Sequence, residues 1–147
     1  MSSTANGTLT ISEARLVAAA ALSPQSDDDP SLLAEWQDSV EPPAIMLFWD
    51  DPWLEPRGQI ACWWMANLTI LCVAGRLEPG AGMEVLEALV GYTANRLDGA
   101  PYSFGPITAT APRSFAIGGI DYLAASLSLQ VPVTTQEGDF PWLTQSR

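Results

Sequence analysis

The sequence predicts an α+β fold: one mostly antiparallel sheet of four to five strands, with its helices packed on one face, in the order α-α-β-β-α-β-β. Three stretches carry this expectation. Gln59 to Gly75 (QIACWWMANLTILCVAG) has no charge and no proline and is apolar on both parities. Its tryptophans and its branched Thr69, Ile70 and Val73 favour a strand over a helix, and a strand apolar on both sides is one covered on both faces. Met83 to Leu97 has the 3.6-residue period of an amphipathic helix, with Met83, Leu86, Leu89, Val90, Thr93 and Leu97 on one stripe. Ile120 to Val133 alternates strictly. Leu123, Ala125, Leu127, Leu129, Val131 and Val133 face one way; Tyr122, Ala124, Ser126, Ser128 and Gln130 face the other.

The remaining elements follow in order. Residues 1–11 are small and polar and read as a flexible arm. Ser12 reads as an N-cap with Glu13 in the first turn, opening a helix that Ser23-Pro24 stops. Gln25 to Asp29 is an acidic loop. Its Asp27-Asp28-Asp29 run lacks the alternating ligands, turn glycine and closing glutamate of an EF-hand, so it reads as a solvated loop whose last aspartate caps the next helix. Pro30 at the first helical position favours a short helix from Ser31 to about Asp38, burying Leu32, Leu33 and Trp36. Glu41-Pro42-Pro43 then leads in extended form to a strand at Ala44–Trp49.

Asp50 to Gly58 (DDPWLEPRG) connects this strand to the long apolar one, giving a long hairpin that extends to a neighbouring subunit. Strands typically run about 5–6 residues, so the first half of Gln59–Gly75 is expected to leave the domain's own core. Downstream, Pro112 interrupts a strand from Ile107 to Ile117, and Gly118-Gly119 suits a tight hairpin turn. Residues 12–133 thus form a single domain, followed by a tail at 134–147 in which Phe140-Pro141-Trp142-Leu143 is apolar enough to dock.

Composition narrows the chemistry. The 147 residues include 17 acidic and 6 basic ones, for a net charge of −11, with no histidine and no lysine. Such a chain is repelled by phosphate backbones and anionic membranes. Missing histidine removes the commonest general base and zinc ligand, and missing lysine removes Schiff-base and P-loop chemistry. Cys62 and Cys72 lie ten residues apart on one strand, about 33 Å when extended, too far for a disulfide. They read as small buried apolar side chains of a reducing compartment. No secretory signal or transmembrane span is evident. Asp50, Asp51 and Glu55 are the best candidates for a paired-carboxylate site, but a solvated hairpin tip is the favoured reading. The expectation is therefore no enzyme, no catalytic residue, no cofactor and no metal.

An alanine-rich first helix, Leu32–Trp36, the extended Val40–Pro43, a strand hairpin, the helix Met83–Leu97 and the closing FAIGGIDYLAASLSLQVPV hairpin occur in that order over about residues 12–135. In this order and spacing the chain resembles the tail terminator proteins of long-tailed bacteriophages, also described as tail-completion or head-to-tail joining proteins. The six tryptophans and the long apolar strand depart from what is typical of them. The resemblance implies a hexameric ring that caps the tail tube, stops its polymerisation and docks to the head connector, with DNA passing through the bore unbound. Its partners would be other copies of itself, the tail tube protein and the connector or stopper, in the virion, after assembly in the host cytoplasm. Another connector part, such as a head-closure, stopper or minor tail protein, and a small cytosolic oligomeric binding domain are the alternatives. Trp53, Trp63, Trp64, Phe140 and Trp142 are the expected subunit-interface residues.

Overall fold

The computed structural model describes residues 9–33, 35–58, 62–78, 82–100, 104 and 106–135. The fold is α+β, with two helices, α1 (Ile11–Leu22) and α2 (Met83–Asp98), and a mixed seven-stranded sheet among these residues. Three long strands make its centre: β3 (Ala44–Pro56), β4 (Trp63–Arg76) and β7 (Ile120–Thr134). Both β3–β4 and β4–β7 are antiparallel. Short strands finish the edges. β2 (Ser31–Leu33) joins β3 in parallel, while β7 takes β1 (Leu9–Thr10) in parallel and β5 (Thr108–Ala109) and β6 (Arg113–Ile117) antiparallel.

Side-chain alternation divides the interior into two layers. Ile45 and Leu47 of β3, Ala66, Leu68, Ile70, Cys72 and Ala74 of β4, and all six leucine, alanine and valine positions expected on one side of β7 form the main core. Ala14, Ala18 and Leu22 of α1 and Leu86, Leu89 and Leu97 of α2 close over it, so both helices cover the same face. On the opposite face Met46, Leu71, Val73, Ile117, Tyr122 and Ala124 form a smaller core with Leu33, Val40, Phe48 and Phe115. Trp36 covers it, its ring 5.5 Å from Phe48 edge-on and 6.2 Å from Phe115. Both parities of β4 are therefore used inside one chain.

Several expectations need correction. The segment expected as a helix from Ser31 to Asp38 begins instead as strand β2. The Asp29 carboxylate folds back to accept from the Gln25 backbone N–H at 2.7 Å, so it caps its own turn rather than a following helix. The first helix is capped by Thr10, not Ser12: Thr10 Oγ1 accepts from the Glu13 N–H at 3.2 Å, and Glu13 accepts from the Thr10 N–H at 3.0 Å, a reciprocal capping box. Leu9 and Thr10, placed in the arm by sequence, form β1 because β7 has an edge to pair there and Leu9 is 2% exposed. The sheet is not confined to four or five strands, and parallel pairs bound it. Finally, β4 does not leave the sheet. It is flanked by β7 from Trp63 onward, and by β3 from Trp64 onward.

Candidate functional site

The helix-free face of the sheet changes character along its length. Beyond the small core, the outward positions of the three long strands become polar: Asp50 and Glu55 on β3, Asn67 and Thr69 on β4, and Ser126, Ser128 and Gln130 on β7. Register sets them side by side. Thr69 lies opposite Ser128, and Asn67 opposite Gln130; Thr108 of β5 continues the row beyond Ser128.

What turns this strip into a cleft is a bulge in β3. Trp49 pairs with Leu68 and Leu54 with Ala66, so five steps along β3 are matched by two along β4 and three surplus residues are pushed out. Asn67, 8% exposed, pins the bulge. Its Nδ2 donates to the Pro52 carbonyl at 2.9 Å and to Glu55 Oε1 at 2.7 Å, while its Oδ1 accepts from Gln130 Nε2 at 3.1 Å. A buried carboxamide with all these bonds made fixes the local geometry, since leaving it unpaired would cost about 1–3 kcal/mol. Asp50 Oδ1 accepts from the Asp51 N–H at 2.8 Å within the bulge. The result is a cleft of about 380 Å³, lined by Asp50, Glu55, Asn67, Thr108, Ser128 and Gln130, with Pro52, Pro106 and Leu129 completing its wall.

The expected interface residues are dispersed around this end of the sheet. Trp53 rides on the bulge, 46% exposed, with its ring 5.5 Å from Trp49 and tilted 34°. Trp63 is half-buried on the same face as the cleft, with the Arg57 guanidinium 5.6 Å above its ring. Trp64, one residue on, points to the other face and packs against the main core. The sequence pair Trp63–Trp64 is thus split by the pleat. Phe140 and Trp142 lie outside the described residues.

No family model matches the chain, and no curated protein matches it in sequence.

Chemically, the cleft offers hydrogen-bond acceptors and negative charge. Asp50 and Glu55, named from sequence as paired carboxylates, both line it, whereas Asp51 does not. Sequence reasoning missed Asn67, Thr108 and Pro106. The signal for Asn67 was a lone carboxamide inside an apolar strand, which needs partners wherever it is buried. Among the described residues no group of three or more His, Cys, Asp or Glu side chains is placed to hold a metal ion. None of the described helices is long and apolar enough to cross a membrane.

Proposed function

We propose that this chain is a structural virion protein, a tail terminator whose copies close a ring at the head-proximal end of a phage tail. In this role it caps the tail tube, ends its polymerisation and joins it to the head connector. The observation that carries the reading is the architecture: the long hairpin β3–β4 and the shorter hairpin β6–β7 flank α2 in the chain, both helices cover one sheet face, and aromatic residues emerge at the far end of the β3–β4 hairpin. That element order is only loosely consistent with the one on which the resemblance rests, because β2 stands where a second helix was expected.

Charge supports the same reading. About six copies at −11 each carry roughly −66, which lets DNA slide through a bore without adhering. In this account the contact with the next subunit is made by the bulge and hairpin end, through Trp53 and Trp63, since β4 itself is paired within its own sheet. Another head–tail connector part is the alternative sharing these features.

Electron microscopy of particles lacking this protein tests the assignment. Full heads lying beside over-long or unjoined tails are expected. Normally joined particles with tails of normal length would overturn it, and full heads with tails of correct length but no junction would shift it to the connector alternative.

A further inference from the structure

We infer that the apolar strip at the hairpin end of the helix-covered face is a docking site for this chain's own C-terminal segment, Phe140-Pro141-Trp142-Leu143. The inference concerns a single copy and does not rest on the ring assignment.

The strip lies on one face of the sheet. Trp49 and Leu54 of β3 and Trp64 of β4 pack against the main core yet stay partly exposed, and the exposed Trp53 ring lies 5.5 Å from Trp49. Register keeps the two strands' contributions together. Leu54 is opposite Ala66 and Pro56 opposite Trp64, so Leu54 and Trp64 stand on neighbouring strands two steps apart. Three tryptophans and a leucine at one end of one face make the kind of apolar patch that marks a docking surface.

The path of the chain says what covers it. Thr134 pairs with Trp63, and the Thr135 N–H donates to the Cys62 carbonyl at 2.9 Å, so β7 delivers residues 136–147 to this end of the sheet. Trp64 is opposite Val133 on β7 and Leu54 lies one strand further, about 10 Å away across two strand spacings. From Thr135 to Phe140 is five residues, with an extended reach of about 17 Å. That reach covers both. Gly138 can take the positive φ that a return onto the sheet face asks for. The segment Phe140–Leu143 is apolar and uncharged, so it enters beside the exposed Asp50, Asp51 and Glu55 without adding repulsion. A second copy would bring its own net charge of −11 to the same place. Tethering also makes docking within one copy an intramolecular event with a high effective concentration, so a modest contact is enough.

The test uses full-length, isotope-labelled protein with a soluble gadolinium chelate and reads paramagnetic broadening at each tryptophan indole N–H. Trp36 is the internal reference: it is 44% exposed against 46% for Trp53, but covers the smaller core on the opposite face. Phe140→Ser with Trp142→Ser and Leu143→Ser should raise the broadening at Trp53 and Trp64 by about twofold or more and leave Trp36 unchanged, with the rest of the backbone spectrum native. Trp142→Ser alone should raise it part-way, and Glu137→Gln with Asp139→Asn should not raise it. No rise at Trp53 and Trp64, or an equal rise at Trp36, would overturn the proposal. The labelled triple variant, refolded with an excess of unlabelled native chain, should stay unprotected. Recovery of protection in that mixture would assign the strip to the segment of a second copy and would overturn docking within one chain.

Discussion

Cys72 and Cys62 show how one residue type takes two behaviours from its surroundings. Cys72 is buried in the main core, its Sγ 3.4 Å from Thr93 Oγ1. Burial pushes its thiol from 9.0 up to about 11, with the Thr93 hydrogen bond acting in the opposite direction. The folded state therefore holds this proton more tightly than the unfolded chain does. The corresponding stability is complete below pH 9 and is lost as pH rises towards 11, at most about 1.4 kcal/mol per unit. Denaturant titrations across this range should show a steeper alkaline loss for the native protein than for Cys72→Ala. Cys62 is exposed beside the hairpin end, so iodoacetamide should label it in the folded protein and reach Cys72 only on unfolding. Gly118 and Gly119 make a second residue-scale pair. Both have positive φ, +58° and +81°, but a Cβ at Gly118 would collide with the Asp38 carbonyl oxygen while one at Gly119 meets nothing. Gly119→Ala should cost only the left-handed strain, about 1–2 kcal/mol, and Gly118→Ala clearly more by the same denaturation measurement. That a glycine pair turns the chain here was legible from sequence. That Asp38 packs against one of them was not, because residues eighty apart in the chain meet only through the fold.

At the scale of elements, periodicity was a good guide wherever one chain segment decides its own packing. The helix α2 and the two faces of β7 lie where the pattern put them, except that Met83 at the helix start is 46% exposed and stays off the buried stripe. Residues 31–38 misled for a physical reason. Leu32, Leu33 and Trp36 share one side of a helix, but two sheet faces need covering. As a strand the segment sends Leu32 to the main core and Leu33 to the smaller one, leaving Trp36 to lie over Phe48 and Phe115. The bulge was equally hidden, since a register shift is a property of two strands. Its outer edge nevertheless carries Pro52 and Pro56 with Asp50, Asp51 and Glu55, residues that discourage another strand from pairing there. Asn67→Leu should free this bulge. The Pro52 carbonyl, Glu55 and Gln130 lose their shared partner but sit on exposed residues that water can reach, so stability should fall by about 0.5–1.5 kcal/mol. Hydrogen exchange should rise at residues 50–55 and stay unchanged in α2. Equal exchange in both places would mean that the bulge is held by backbone pairing alone.

For the molecule as a whole, the distribution of tryptophans sets up the decisive test of assembly. The sequence offered Trp63 and Trp64 as a paired contact for a neighbour, but alternation makes them opposites: Trp64 belongs to the main core and Trp63 to the helix-free face. The variants therefore report on different things. Trp64→Ser removes a large side chain packed against the interior and should lower stability by up to about 3–5 kcal/mol, so any loss of assembly in it reflects folding. Trp53 is 46% exposed on the bulge, and its loss removes the ring contact with Trp49. Trp53→Ser with Trp63→Ser removes the ring contacts with Trp49 and Arg57 and should lower thermal stability less than Trp64→Ser does, yet abolish ring formation, read as a shift from oligomer to monomer in analytical ultracentrifugation or native mass spectrometry. Six like-charged copies repel one another, so apolar contact has to outweigh that repulsion; raising salt screens the charge and should favour the ring in the native protein. A double variant that still forms the native ring would remove the hairpin end from the interface. A native chain that stays monomeric at high salt, and also in the presence of tail tube, would remove the ring itself.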